Sequence, residues 1–315
     1  SWSCAPFLGG QTGYTCLGFI WQNNVMRELP PLFGGNNSFA TGADNTGHVV
    51  GWAENGVHDS TCVAPQVLQF HPVVWGPALG QIQELPLFED DTSGAATAIN
   101  NRGQIVGISG ICDQAVGRHT AKHALLWDNG TISNIGNLGA ELWITPMAIN
   151  QHGVIVGFGA TDANDLNGDF LRAFIWNRND GMKRIDPLPI ADHVFSQANA
   201  INERGQVVGS SCTLAGACEG FLWQNDVIVN LNDPLVTPGF NGFIINAQDI
   251  NGQGQITGRA FNPAAGKITT YVAVPISESA NAKQTNPSSV LAKVTLPPGL
   301  RRALVHQRGL ANLVR

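Results

Sequence analysis

The residues of this sequence with the means to do chemistry are its eight histidines, its six cysteines and a few short runs of carboxylates. A catalytic metal needs ligands at fixed spacings, and no His-x-His or His-Glu-x-x-His pair occurs. His119 and His123 lie four apart, but outside any helical pattern that would set both rings on one face. His71 and His123 each open an apolar segment that ends in Trp, where an imidazole is better suited to satisfying a loop carbonyl. The most site-like run is Asp162-Ala-Asn164-Asp165-Leu-Asn167-Gly-Asp169. Asp162, Asn164, Asp165, Asn167 and Asp169 offer hard oxygen ligands on a glycine-containing loop, which suits a structural Ca²⁺ whose role would be to stiffen that loop. The spacing departs from an EF-hand at Ala163, and the same residue types also make ordinary turns. Beyond such a Ca²⁺ no cofactor is expected. Glu89-Asp90-Asp91 reads as a solvated turn.

Nucleophilic catalysis finds no support either. There is no Gly-x-Ser-x-Gly elbow, and Ser210-Ser211-Cys212 occupies a slot that elsewhere holds Ile108 or Phe158. Asn129-Gly130-Thr131 matches a glycosylation sequon but falls where a tight hairpin turn is required, and the turn reading is preferred. No catalytic residue is assigned. The cysteines instead suggest staples. Cys4 with Cys16, and Cys212 with Cys218, share equivalent loops, while Cys62 and Cys112 occupy the same loop of neighbouring units and would bridge them. Three disulfides imply an oxidising compartment: extracellular, cell-surface or periplasmic. The alternative is a set of buried thiols in a reducing one. Most of the eight tryptophans recur at regular spacing, which marks core rather than sugar-stacking platforms. Trp2, Trp52 and Trp143 fall outside that spacing and are expected to be exposed on a binding face.

The elements that must position these residues come from a repeat. Ala198 to Gly209 recurs as Ala96 to Gly107, Pro146 to Gly157, Ala247 to Gly258 and, less cleanly, Ala40 to Gly51, with a shared Ile-Asn-x-x-Gly-x-Val-x-Gly core. Asn caps its own backbone and Gly takes a left-handed conformation without steric cost, so each copy predicts a hairpin. Each is followed, across a loop of variable length, by an apolar strand such as Leu17–Trp21, Pro72–Trp75, His123–Trp127, Arg172–Trp176 or Glu219–Trp223, with Thr270–Val274 as a weaker sixth. A polar turn and a short outer strand complete a four-stranded unit. Taking Asn45, Asn100, Asn150, Asn202 and Asn251 as the turn residues, the period is 55, 50, 52 and 49 residues. Four antiparallel strands at about this period predict an all-β, six-bladed β-propeller over residues 1–276, with Trp127 and Trp176 buried between blades. The first blade lacks its opening hairpin and the last its outer strand, which suggests that sequence before Ser1 is missing. The variable loops gather on one face, where propellers host ligands.

Residues 277–315 break the pattern: a Ser/Asn-rich linker, Ser277–Ser289, precedes Val290–Leu296 and a basic end. This segment holds six of the 17 basic residues and one of the 23 acidic ones. It is expected to pair as an edge strand on its own last blade or on a neighbouring subunit, giving a homo-oligomer in the second case. Formal net charge of −6 gives no support to nucleic-acid binding, and no apolar run is long enough to span a bilayer.

The Ile-Asn-x-x-Gly hairpin followed by a His-Ala-Phe-Leu-Trp strand resembles the HAF-type extracellular repeat. His123-Ala-Leu-Leu-Trp127 and Arg172-Ala-Phe-Ile-Trp176 carry the likeness most closely, and it extends over roughly residues 1–276. The resemblance implies a bacterial, secreted or surface-linked propeller, in a family mostly without a defined activity. The reading is therefore a secreted, non-catalytic propeller that recognises a protein or an extracellular polymer, or assembles at a surface. The alternative is an extracellular hydrolase or lyase with a metal or acidic residues in its central channel. Small and amide side chains beside Ala40, Ala96, Pro146, Ala198 and Ala247 argue against it, with Asp44 and Asp249 as exceptions.

Overall fold

Turn chemistry and alternation build strands throughout. The structure, a computed structural model, describes residues 15–62, 66–78, 80–112, 121–165 and 168–275, and their regular secondary structure is entirely β. The strands form six antiparallel sheets in chain order. The first pairs β1 (Gly18–Gln22) with β2 (Val25–Leu29). The second comprises β3 (Ser38–Ala43), β4 (Val49–His58), β5 (Leu68–Trp75) and β6 (Ile82–Glu84), each paired with the next. The third repeats this with β7 (Ser93–Ile99), β8 (Ile105–Gly110), β9 (Ala121–Asp128) and β10 (Thr131–Asn134). The fourth holds β11 (Ile144–Ile149), β12 (Ile155–Gly159), β13 (Arg172–Asn177) and β14 (Gly181–Ile185). The fifth holds β15 (His193–Ile201), β16 (Val207–Thr213), β17 (Cys218–Gln224) and β18 (Val227–Asn230). The sixth has three strands among the described residues, β19 (Phe243–Ile250), β20 (Ile256–Asn262) and β21 (Lys267–Ala273). The four-stranded unit and its strand order are thus as the repeat predicts, as are the short first and last sheets among these residues. Two compact units emerge, Ser1–Gly168 with Ile175–Lys183 and Asp169–Phe174 with Arg184–Arg315, the division falling within β13 and β14.

One side chain organises each opening hairpin. The Asn202 carboxamide oxygen accepts the N–H groups of Arg204 and Gln206, while its amide donates to Gln206 Oε1. Asn100 and Asn251 repeat all three bonds with their own neighbours, and Asn150 the two that its oxygen accepts. In the first copy the residue in this role is Asp44, not Asn45: its Oδ1 accepts from Thr46 and His48, and Oδ2 faces His48 Nδ1 at 3.0 Å. The chemistry is inverted there, since a carboxylate cannot donate and the imidazole supplies the proton that the amide supplies elsewhere.

Just before each turn the first strand carries a β-bulge, at Ala40/Gly42, Ala96/Ala98, Pro146/Ala148, Ala198/Ala200 and Ala247/Asp249. The bulge draws the first strand's carbonyl against the closing glycine of the motif. A Cβ on Gly209 would lie 2.0 Å from Gln197 O, so no other residue fits. The turns before the outer strands carry two left-handed residues, Asn23–Asn24, Asn129–Gly130 and Asn225–Asp226, the type I′ geometry that suits a two-residue hairpin. Asn129 is therefore a turn residue, as expected.

Within the first unit, sheets pack face to face. Trp75 is buried with Val49 and Val73 against Leu29 and Ile20 of the first sheet, and its indole N–H donates to Pro30 O at 2.8 Å. Trp127 repeats the arrangement against Val50, Val74 and Leu85, donating to Pro86 O at 2.8 Å. Trp176 is only half-buried, which corrects the expectation that it matches Trp127. In the second unit Ala200, Val208 and Leu231 pack against Ile244, Ile256 and Tyr271, which takes the Trp position.

Candidate functional site

Near the start of several apolar third strands stands a polar residue beside the variable loop, and His71, His123 and Glu219 each take part in a polar cluster there. On β9, His123 Nδ1 donates to Asp91 Oδ2 at 2.7 Å, and the buried Ser109 hydroxyl of β8 bonds the same oxygen. Phe88 lies against the imidazole with ring centroids 4.9 Å apart. His, Asp and Ser are the members of a hydrolytic triad, but Asp91 is the hub here. The serine hydroxyl bonds the carboxylate and not the imidazole, so the Ser-to-His link of such a triad is not formed here. On β5, both nitrogens of His71 face oxygen, Nδ1 on Glu84 Oε1 at 2.5 Å and Nε2 on Thr92 O at 3.1 Å.

In the second unit the order is different. Ser211 Oγ is 2.8 Å from His193 Nδ1, and His193 Nε2 stands 4.0 Å from Glu219 Oε1. This is the sequence of groups in a Ser-His-Glu chain. Ser211 is fully buried, however, and its oxygen accepts the Leu188 N–H at 3.0 Å, which ties the Ile185–His193 connection to β16. Glu219 is also held, accepting from Asn230 at 2.6 Å and Asn232 at 3.3 Å. Burial lowers the His193 pKa, against the opposing pull of Glu219 and Asp192. The cluster ties the Ile185–His193 connection to the sheet.

Next to these clusters lie the staples. Cys62–Cys112 links the β4–β5 loop to the end of β8, and Cys212–Cys218 closes the β16–β17 hairpin. Cys16 is also disulfide-bonded; Cys4, its expected partner, lies outside the described residues. Asp59 shapes the first of these loops. Burial raises its pKa, but bonds from Thr61 and Gln69 outweigh that and hold it at about 2.

The expected binding-face tryptophans are not on a surface. Trp52 is 2% exposed, stacked on Phe39 and edge-on to Phe70 in a cluster that also takes Ala95 and Ile108 from the third sheet. Its place within the run Val49–Ala53, buried on both faces of β4, turns it between sheets. Trp143 is 4% exposed, edge-on to Phe158. Trp2 lies outside the described residues. The most exposed aromatic among the described residues, which sequence reasoning overlooked, is Phe33, at 102% relative exposure. It stands on the loop between β2 and β3, and that loop is clamped. Buried Glu54 accepts the N–H groups of Asn36 and Asn37 and the Asn37 amide on Oε2, and the Gln66 amide on Oε1. Gly34 and Gly35 press so closely on Gly56 and Glu54 that a Cβ on Gly35 would meet Glu54 O at 1.9 Å.

The acidic loop folds on itself. Asp162 Oδ1 accepts the Asn164 backbone and side-chain N–H groups at 2.8 and 3.0 Å, while Asp165 N donates to Asp162 O. Asn167 lies outside the described residues. Asp44, considered above for a channel, has its side chain committed to its own turn.

No family model matches this chain, and no curated protein matches it. Solved structures do. The acylaminoacyl peptidase of Pyrococcus horikoshii is similar at 12% identity and a TM-score of 0.48, over 81% of this chain and 40% of that one. The β-propeller domain of the trilobed protease from Pyrococcus furiosus is similar at 10% identity and 0.36, over 81% and 83%. A gluconolactonase from Xanthomonas campestris is similar at 11% identity and 0.35, over 66% and 72%. This chain therefore spans about two fifths of the peptidase's length. The likeness is one of strand architecture and assigns no residue a role.

Proposed function

We propose that this chain is a secreted, non-catalytic β-propeller of six blades that acts through recognition of a partner at an extracellular surface. The observation that carries this reading is Phe33, a bare aromatic side chain held out on a loop locked by Glu54 and two glycines. A rigid, fully solvated aromatic loses little entropy on binding and is the kind of residue that dominates an interface. A sugar platform keeps one ring face packed on its own protein; Phe33 has neither face covered, and suits insertion into an apolar pocket. That favours a protein partner over an extended polymer. The disulfides are compatible with an extracellular setting, and no helix among the described residues is long and apolar enough to cross a membrane. The HAF-type likeness of the repeat points to the same compartment.

The polar clusters support a structural role for the groups that would otherwise suggest hydrolysis. Ser109 is held on the carboxylate of Asp91, and Ser211 is enclosed. The test pairs binding with turnover. Purified chain is titrated against immobilised cell-surface protein and polysaccharide fractions, and assayed on lactone, ester and glycoside panels. Saturable binding to the protein fraction that weakens at least tenfold in Phe33→Ala is expected. Turnover that disappears in Ser211→Ala or His123→Ala would overturn the reading.

A further inference from the structure

The carboxylate that clamps the Phe33 loop depends on a neighbour. Glu54 is buried, and donors reach its two oxygens from different segments. Oε2 accepts the N–H groups of Asn36 and Asn37 and the Asn37 amide, all on the loop itself. Oε1 accepts the Gln66 amide at 2.8 Å, its one donor among the described residues. A buried carboxylate oxygen stripped of its donor is costly, so Glu54 keeps its place under the loop only while Gln66 keeps its own. Gln66 is buried as well, and its amide also donates to Leu68 O at 2.7 Å. Both sulfurs of a disulfide lie against that same carbonyl, Cys62 Sγ at 3.5 Å and Cys112 Sγ at 3.7 Å.

The two bridges with both partners described differ in access. Cys112 is fully buried but Cys62 is partly exposed, whereas Cys212 and Cys218 are both buried. Cys62 also sits in a short turn fastened to the end of β8: its N–H donates to Asp59 O, and Thr61 Oγ1 accepts the Cys112 N–H at 3.1 Å. We infer that the Cys62–Cys112 disulfide is a redox control on the Phe33 loop, fixing it when oxidised and releasing it when an external dithiol reduces the bridge. A thiolate of the dithiol attacks Cys62 Sγ, the S–S bond breaks, and Cys112 leaves as a thiolate that takes up a proton. The second thiol then attacks the mixed disulfide, Cys62 leaves and is protonated, and the dithiol is oxidised to its own disulfide. Two S–H groups now stand beside Leu68 O as weak donors competing with Gln66, and the β4–β5 loop is no longer joined to β8. Gln66 loses its seat, Glu54 Oε1 loses its donor, and the clamp opens. With Phe33 as the recognition residue proposed above, recognition weakens on reduction.

Amide hydrogen exchange at Asn36 and Asn37, followed by NMR on the full chain before and after treatment with dithiothreitol, tests this. Thiol alkylation and mass spectrometry report which bridges are open, and slow exchange of the Trp127 indole N–H reports that the protein stays folded. Exchange at Asn36 and Asn37 is expected to be about tenfold faster once Cys62–Cys112 is open, with Trp127 unchanged. Cys62→Ser/Cys112→Ser, which opens this bridge alone, reproduces the reduced form. Gln66→Ala exchanges fast with the bridge closed, and reduction accelerates it by less than about twofold. Equal exchange at the two asparagines in oxidised and reduced protein overturns the inference. So does a tenfold acceleration on reducing Gln66→Ala, because the bridge would then reach the loop by another route. Binding to the cell-surface protein fraction is measured on the same samples. A loop freed with no loss of binding upholds the redox link and counts instead against Phe33 as the recognition residue.

Discussion

Asparagine at the turn is more than a turn former. Asn202 accepts two N–H groups, donates to Gln206, and reaches Asn251 O of the next hairpin at 3.0 Å; Asn100 reaches Asn150 O at 2.9 Å in the same way. Asn202→Ala is therefore expected to lower stability by about 2–3 kcal/mol in urea unfolding, since buried partners are left unpaired. Asn251→Ala removes bonds on an exposed turn and is expected to lower it by about 1 kcal/mol. Equal losses would show that the link to the next hairpin contributes nothing. His193 makes a pH-dependent prediction. Its folded pKa is lowered by burial, so below the ordinary value near 6.5 the unfolded chain binds the proton that the folded one refuses. Stability is full above that value and falls as pH drops through it. The thermal midpoint of wild type should fall between pH 7.5 and 5, and His193→Gln should flatten that part of the decline.

At the scale of elements, loops are held by two different devices. One is covalent. Cys62–Cys112 closes 50 residues and Cys212–Cys218 closes six, which on a chain-entropy basis gives about 4 and about 2 kcal/mol. Replacing each pair by serine should keep that order in denaturant unfolding; the reverse order would mean that native packing around the bridges, and not chain entropy, governs their worth. The other device is a buried carboxylate. Glu54→Gln places an amide donor among the four N–H groups that converge on the carboxylate. A loss of about 2–4 kcal/mol is expected, with faster amide exchange at Asn36 and Asn37. If the protein were destabilised while those two amides stayed protected, Glu54 would not be the clamp of the Phe33 loop.

For the whole molecule, the repeat means that each sheet is stabilised mainly by its neighbours, and terminal faces must be covered or tolerated. Interior tryptophans should therefore be unequal to terminal ones. Trp127→Ala, which empties a buried site and frees Pro86 O, is expected to lower stability by about 3–5 kcal/mol. Trp21→Ala, at an exposed site, is expected to lower it by less than about 1 kcal/mol. Urea unfolding of both variants checks the difference, and equal losses would show that exposure does not set the contribution of these tryptophans.

The repeat itself determined much of this protein. Strand order within a unit, the paired landmarks and the left-handed turn at Asn129–Gly130 were all legible, because each rests on residues close to one another in the chain. Even there, Asp44 was displaced by its neighbour Asn45, since a pattern of residue types does not reveal which side chain receives the turn's N–H groups. Tertiary structure alone decided burial. Trp52 and Trp143 read as exposed because they break the Trp spacing, yet Trp52 sits in a stretch of β4 buried on both faces, and Trp143, just before β11, packs edge-on to Phe158. Likewise Glu54, 17 and 18 residues from the loop it clamps, and Asp91, which gathers Ser109 and His123, carry no local signature. Their partners are chosen by how sheets meet, and that depends on the close approach of segments the sequence keeps apart.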